Sequence, residues 1–377
     1  MADSVRQEIL MITGFADGSL PFRYLGVPLA GARLKAVDYS ILVDTIARRI
    51  NAWPRNSLSY AGKIELIRSV VQGVECFWLS ILPVPSCVID SIQSICRKFV
   101  WPTKHPPIAW TSVCKPLEDG GLGLKDLKAW NKALLAKTLW KIHLKKDSLW
   151  IKWVQHFYRS SSDIWSWEVH KQDSPLLKKL LHLRDLLIGG FGTKEIAQQK
   201  ICYWFASHQG MSRAYEYFVQ SKGKWPWKII LSRHCILPKH RIILWLLAHQ
   251  KLLTRDRMGF VEDKICMLCN EVDESNSHLF FKCRISKTIW DGVRHWLDMK
   301  KIMATPTSIL KAFRETYRGK STLDKMRVTT LAATVYNVWN LRNRVIFEGE
   351  KPKIEDTIRK IQIHTYRCVS NMIDIFS

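Results

Sequence analysis

The segment CMLCNEVDESNSHLFFKC, residues 266–283, decides the fold of the region around it. Two residues separate Cys266 from Cys269, eight more separate Cys269 from His278, and four separate His278 from Cys283. Zinc prefers thiolate and imidazole donors in a tetrahedron, and a Cys-x2-Cys turn brings two thiolates onto one ion. The spacing therefore predicts one structural zinc ion with four protein ligands and no coordination position left open for water or substrate.

A Cys-x2-Cys pair by itself is also compatible with buried free cysteines or with a redox pair. Here three of the ten cysteines fall in one short polar segment together with a histidine. The strand-helix pattern of a thioredoxin-like site is missing around them. The cluster therefore favours zinc over the two alternatives.

Two geometric expectations follow from the same segment. Asn270 comes directly after the second thiolate, and asparagine tolerates the positive φ that such a tight turn needs. His278 and Cys283 are five positions apart, which is about 140° around a helix axis. They cannot both bind one ion from the interior of a straight helix, so one of them must lie at a helix end or in a turn.

The length, composition and net charge of the chain limit the classes of protein to which it can belong. A chain of 377 residues exceeds the usual size of a single core, which predicts two or three domains, and 47% hydrophobic residues exclude a disordered protein. Lys and Arg number 58 against 33 Asp and Glu, a formal charge of +25. Such an excess favours a polyanionic partner, most often nucleic acid and less often an anionic membrane; the alternative is a merely basic soluble protein.

The remaining cysteines indicate the compartment. They are scattered singly through apolar segments, as expected of small hydrophobic residues in a reducing environment. The N-terminal residues lack the pattern of a signal peptide, and the most apolar later stretch, Ile242–Ala248, is too short to span a bilayer. We expect an intracellular protein, cytosolic or nuclear, with no membrane partner.

Hydrophobic periodicity predicts a mainly α fold of two helical domains, the second carrying a small zinc-binding loop. We expect the first domain at 1–190 and the zinc-binding domain at 191–300, followed by a helical tail at 301–377. Glycines at 189, 190 and 192 suggest the first boundary. Apolar spacing predicts helices at 37–53, 60–74, 86–100, 124–146, 175–187, within 238–257, and at 278–297, 325–347 and 354–373.

Several patterns that resemble functional motifs have simpler interpretations. Asp17 is followed by Gly18 where a polymerase-type metal site would need a second carboxylate, so a loop is expected. The glycines at 120, 121 and 123 lack the strand-to-helix setting of a phosphate loop and predict a turn. Tryptophans 150, 153, 165 and 167 are interleaved with basic residues and could stack on bases, but core positions are favoured.

Several sequence motifs, in a fixed order along the chain, resemble those of a known family. They are LPFRYLGVPL at 20–29, LSYAGKIELIRSV at 58–70, VCKPLEDGGLGLKDL at 113–127, PKHRIILWLLAHQKLLTRDRM at 238–258, the zinc segment, and VWNLRNRVIF at 338–347. The chain resembles the C-terminal part of the reverse transcriptase of plant-type non-LTR (LINE) retrotransposons. The resemblance implies a thumb and connection region followed by the family's zinc-binding domain, with the polymerase palm and its catalytic aspartates lying before residue 1.

Charge and resemblance together predict a retroelement-derived zinc protein that binds RNA or an RNA–DNA duplex through basic helical surfaces, without polymerase activity of its own. The candidate phosphate contacts are Lys63, Arg68, Lys239, Arg241 and Arg255. The alternative is a helical scaffold that binds other proteins through its tryptophan-rich surface and uses zinc only to fold.

Overall fold

The computed structural model describes residues 3–14, 22–24, 26–29, 34–55, 57–103, 106–158, 163–221, 223–301, 303–317, 319 and 321–373. Helices dominate this part of the chain, and its strands form a single two-stranded antiparallel hairpin. The predicted mainly α fold is confirmed. The loop expected at Asp17 and Gly18 lies outside the described residues.

The helices are, in chain order, α1 (Asp3–Thr13), α2 (Ser40–Ala52), α3 (Tyr60–Leu66), α4 (Gln72–Ile81), α5 (Ser86–Val100), α6 (Trp110–Val113), α7 (Leu127–His143), α8 (Leu149–Tyr158), α9 (Pro175–Phe191), α10 (Lys194–Phe205), α11 (Gly210–Val219), α12 (Lys228–Leu231), α13 (Pro238–Ala248), α14 (Arg284–Trp296), α15 (Pro306–Glu315), α16 (Thr322–Phe347) and α17 (Ile354–Ile373). The hairpin strands are β1 (Phe22–Tyr24) and β2 (Val27–Leu29). No helix of the described residues combines the length and the apolar character needed to cross a bilayer.

The chain forms two compact units that alternate along the sequence. The first is drawn from residues 1–53, 70–95 and 127–219, and the second from residues 54–69, 96–126 and 220–377. These units describe contacts in space. The predicted sequence domains at 1–190, 191–300 and 301–377 stay predictions.

The core of the first unit surrounds α7, whose alanines Ala133 and Ala136 are fully buried and let α9, α10 and α11 approach closely. Trp165 and Trp167, each 3% exposed, belong to this core, as predicted. The core assignment is wrong for Trp150 and Trp153 on α8, which are 40% and 51% exposed. Spacing alone does not show which face of an aromatic-rich helix finds a neighbour.

The glycines that suggested a boundary have an ordinary helical role. Gly189 and Gly190 continue α9, and Gly192, with φ of +91°, ends it. Thr193 then begins α10 by accepting a hydrogen bond from the backbone N–H of Ile196 through its hydroxyl.

The second unit is built on α16, which packs against α13, α14 and α17. Small residues make this packing possible: Ala332 and Ala333 are fully buried, and the hydroxyls of Thr330 and Thr365 lie 2.9 Å apart where α16 meets α17. A buried hydroxyl that has a partner avoids the cost of an unsatisfied polar group. The long tail helices therefore belong to the same core as the zinc segment.

The glycine-rich segment after α6 forms a turn, as predicted. The backbone N–H of Gly121 donates to Pro116 O and that of Gly123 to Lys115 O, both at 3.0 Å. Gly120, with φ of +86°, presents its carbonyl oxygen to the indole N–H of Trp245 at 2.8 Å. The turn thus fixes a fully buried tryptophan of α13.

Replacing Gly121 with alanine is expected to destabilise the second unit by about 2–3 kcal/mol, because overpacking a rigid site forces the backbone to move. A Cβ atom at this position would lie 1.8 Å from the carbonyl oxygen of Lys115. The matched control is Gly73→Ala in α4, where a Cβ would meet no atom within 4 Å and should stabilise the helix by up to about 1 kcal/mol. Urea denaturation of both variants measures the difference, and equal effects would contradict this account of the turn.

Candidate metal centre

Four buried side chains converge at one point in the second unit. The ligand atoms of Cys266, Cys269, His278 and Cys283 all lie within 4.8 Å of one another, and none of the four residues is more than 8% exposed. Cys269 Sγ lies 3.4 Å from His278 Nε2. Tetrahedral zinc with Zn–S bonds of about 2.3 Å and Zn–N bonds of about 2.0 Å needs donors roughly 3.5–3.8 Å apart. The donor set and its spacing therefore fit one zinc ion.

A tight turn holds the first two thiols. The backbone N–H of Cys266 donates to Val272 O, and the N–H of Asn270 donates back to Cys266 O, both at 2.8 Å. Asn270 has a φ of +56°, so the expected left-handed conformation is confirmed. An isolated antiparallel bridge between Ile265 and Asp273 closes the loop. The two thiols thus project from one end of a short hairpin-like loop.

The histidine and the last cysteine lie on two different elements. Residues His278–Lys282 form a π-helical turn, in which the backbone N–H of Cys283 donates to His278 O at 2.7 Å. Cys283 itself is extended, with φ of −60° and ψ of 132°, and is the N-cap of α14. The expectation that one of the two ligands lies at a helix end is confirmed. The predicted single helix at 278–297 is wrong, because the chain turns at Cys283 to bring its thiol to the metal.

Side chains of α14 satisfy the carbonyls that the π-helical turn leaves open. Ser286 Oγ donates to Leu279 O at 2.6 Å, and the indole N–H of Trp290 donates to Phe280 O at 2.8 Å. Both side chains are buried. Because buried carbonyls without partners are costly, these two bonds hold the ligand-bearing turn against α14.

Electrostatics favour a thiolate at Cys283. The pKa of the Cys283 thiol is lowered to about 5, first by the hydrogen bond from Cys266 and then by the backbone N–H groups of Ser286 and Ile285 at the start of α14. A helix N-terminus stabilises negative charge, and the thiolate is the form that binds metal. The environment of Cys283 thus favours the form of its side chain that binds zinc.

A buried ion pair that sequence reasoning missed joins the zinc segment to α16. Glu274 and Arg342 are 0% and 1% exposed. Arg342 Nη2 donates to Glu274 Oε1 at 2.6 Å, and Arg342 Nε lies within 3.2 Å of both carboxylate oxygens. The backbone N–H of Arg255 also donates to Glu274 Oε1, at 2.9 Å. Arg342 lies among apolar residues in the segment VWNLRNRVIF, which indicates a buried charge. The sequence does not identify the residue that pairs with it.

Three of the five predicted phosphate contacts are engaged inside the protein. Arg68 pairs with Glu65 at 2.8 Å and donates to the carbonyl of residue 122. Arg241 donates to the carbonyls of residues 233 and 236, and the Arg255 side chain donates twice to the carbonyl of residue 263. None of these three arginines lines the cleft that contains the two predicted lysines.

The two predicted lysines share a cleft of 330 Å³ in the second unit. Lys63 is 6% exposed, and its Nζ lies within 6 Å of the rings of Tyr60 and Phe99. Burial and the neighbouring Arg55 lower the pKa of Lys63. Lys239 Nζ lies 5.2 Å from the centre of the Tyr336 ring. Neither ammonium has an acidic partner among the described residues.

The comparisons agree with this geometry. Residues 210–290 match the model of a zinc-binding domain in reverse transcriptase. The chain is similar to "Putative ribonuclease H protein At1g65750" of Arabidopsis thaliana, with 25% identity over 186 residues that make up 47% of this chain and 30% of that protein. It is also similar to "Uncharacterized mitochondrial protein AtMg00310" of Arabidopsis thaliana, with 32% identity over 127 residues, 32% of this chain and 79% of that protein. The chain thus spans less than a third of the length of the first of these relatives.

A closed site of three thiolates and one imidazole, carried on helical elements, defines a protein with a structural zinc centre. The matched domain contains Cys266, Cys269, His278 and Cys283, and the chain holds one zinc ion. The chain belongs to the family of retrotransposon proteins derived from reverse transcriptases, and it carries the zinc-binding domain of that family. The resemblance seen in the sequence is confirmed.

Proposed function

We propose that the chain binds RNA or an RNA–DNA duplex through phosphate contacts at the cleft that contains Lys63 and Lys239. The observation that carries the proposal is that both ammonium groups line one cleft without an acidic partner among the described residues. Holding like charges together in a partly desolvated site is unfavourable unless an anion enters. A phosphate group supplies that anion, and the chain's net charge of +25 favours its approach.

The zinc ion has a structural role in this proposal. Its four protein ligands leave no position for water, so the site has no means of activating a nucleophile. We propose, as a separate point, that the chain binds nucleic acid without polymerase activity of its own. Primer extension with magnesium by the purified chain would overturn this assignment.

Binding is expected to weaken steeply with salt and to depend little on base sequence, because phosphate contacts release counterions. The double variant Lys63→Met, Lys239→Met keeps the apolar stems and removes both charges. We expect it to bind at least tenfold more weakly and to lower the slope of log affinity against log salt by about 1.5–2. Filter binding at several salt concentrations measures both quantities.

Lys200→Met, an exposed lysine on α10, is the matched control and should leave affinity and slope almost unchanged. An affinity of the natural chain that is indifferent to salt would reject the proposal. If the control variant binds as weakly as the cleft variant, only the net charge of the chain matters. This result would also reject the cleft as the binding site.

A second candidate function is a scaffold that binds other proteins. The observation that favours it is the outer face of α8, where Leu149, Trp150, Trp153 and Phe157 are between 40% and 89% exposed and the rings of Trp153 and Phe157 stack at 5.1 Å. Exposed apolar patches often mark interaction surfaces. Protein partners that stay bound after nuclease treatment, and that are lost in Trp153→Ser, would favour the scaffold.

A further inference from the structure

A second cleft of the second unit shares Lys239 and Tyr336 with the first. It has a volume of 430 Å³ and is lined on one side by α16 and on the other by Lys360 and His364 of α17. The ring of Tyr336 holds the Lys239 ammonium where both clefts meet, 5.2 Å above the ring centre. We call this second cleft the asparagine groove, because Asn337, Asn340 and Asn343 line it.

The three asparagines recur at every third position, so each is a neighbour of the next on the surface of α16. Two of them have amide donors or acceptors that no described residue uses. Asn340 makes no hydrogen bond with any described residue, and Asn343 uses only its Oδ1, which accepts from Arg342 at 3.0 Å. Asn337 is already engaged, because its amide nitrogen donates to Ala333 O at 2.8 Å. The groove thus offers one complete amide and one amide NH₂ group.

The two rings that line the groove, those of Tyr336 and His364, pack against a buried histidine. His240 is fully buried, and its ring lies 4.4 Å from that of Tyr336 and 5.1 Å from that of His364. Burial first, and then the nearby His364 and Lys239, lower the pKa of His240 to about 3. The cationic residues that line the groove are Lys239, Lys360 and Arg344, of which Arg344 pairs with Glu350, and the lining also includes the carboxylate of Glu348.

We propose that the asparagine groove binds a single-stranded segment of nucleic acid, with Asn340 and Asn343 on the edges of unpaired bases and Lys239 and Lys360 on phosphates. The inference rests on the proposed function and extends it from phosphate binding to contacts with bases. An asparagine amide offers both a donor and an acceptor, and it forms paired hydrogen bonds with a base edge.

Two geometric reasons favour a single strand over a duplex. The amides are recessed in a cleft, whereas a paired A-form helix presents its base edges in a deep, narrow major groove that side chains cannot read and in a wide, shallow minor groove that favours contacts from protruding groups. The spacing also fits, because the three residues of α-helix from Asn340 to Asn343 rise by about 4.5 Å. That distance is close to one stacking step of roughly 3.4 Å, so the two amides match two neighbouring bases.

The test measures fluorescence anisotropy of the zinc-loaded full chain with three probes. They are a mixed-sequence single-stranded RNA of twelve nucleotides, the DNA of the same sequence, and the RNA annealed to complementary DNA. The variant is Asn340→Ala, Asn343→Ala, and the matched control is Gln199→Ala, an exposed amide on α10. Zinc content and circular dichroism confirm that each variant is folded.

We expect the double variant to bind a single strand about tenfold more weakly, to bind the duplex as before and to keep the salt slope of the natural chain. A loss on the RNA strand, the DNA strand or both supports the inference and identifies the strand that the groove prefers. If the affinity for a single strand is unchanged, or if the affinity for the duplex falls equally, the asparagine groove does not bind unpaired bases. The proposed function would remain intact in either case. A natural chain that binds none of the probes would overturn the proposed function itself.

Discussion

Replacing Cys283 with serine is expected to abolish zinc binding and to unfold the zinc segment together with the packing of α14. Zinc contributes an apparent binding free energy of about 10–16 kcal/mol to small structural sites, and that energy is available only in the folded state. Cys283 supplies the thiolate at the start of α14, so its loss removes both a ligand and the attachment of that helix. We expect less than a tenth of an equivalent of zinc per chain and a fall in melting temperature of more than about 10 °C.

The matched control is Cys87→Ser, which removes an exposed thiol of the first unit. It should retain one zinc ion per chain and the natural melting temperature. Elemental analysis and circular dichroism measure both properties for the two variants, and a chelator should reproduce the effect of Cys283→Ser in the natural chain. Full zinc content in the Cys283 variant would contradict the assignment of this ligand.

Glu274→Gln is expected to lower the free energy of unfolding by about 3–5 kcal/mol. The change is nearly isosteric, but it leaves the guanidinium of Arg342 charged and almost fully buried. Removing one member of a buried pair is costly because the remaining charge loses its partner and does not regain water. The effect should spread to both α16 and the zinc segment, since the pair joins them.

A more exposed pair at the C-terminal end of α16 gives the matched control. Arg344 pairs with Glu350 at 3.1 Å, but the two side chains are 27% and 36% exposed. Glu350→Gln should therefore cost no more than about 1 kcal/mol. Urea denaturation compares the two variants, and the double variant Glu274→Leu, Arg342→Met should recover much of the lost stability because no charge remains buried. Equal costs at residues 274 and 350 would contradict the account of the pair.

Local features of the molecule could be predicted because their causes are local. The spacing of Cys266, Cys269, His278 and Cys283 reflects the geometry of one ion, and the structure brings all four together. The periodicity of apolar residues predicted α5 with the bounds Ser86–Val100. Helix geometry alone required a bend between the histidine and the last cysteine, and the π-helical turn supplies it.

Features that depend on distant neighbours could not be predicted in the same way. Glu274 and Arg342 are 68 residues apart, and neither carries a local sign of the other. Arg241 and Arg255 looked like free cations, but folding brings carbonyl oxygens to both guanidinium groups. The sequence shows the charge of a basic side chain but not the groups that it contacts in the folded protein. The partners of these arginines could therefore be identified only from the structure.

Three thiolates and one imidazole hold one zinc ion and thereby fix the second unit. X-ray absorption spectroscopy at the zinc edge of the purified chain tests this coordination most directly. We expect three sulfur atoms at about 2.3 Å and one nitrogen atom at about 2.0–2.1 Å around the zinc ion. A shell dominated by oxygen and nitrogen, or one with fewer than three sulfur atoms, would contradict it.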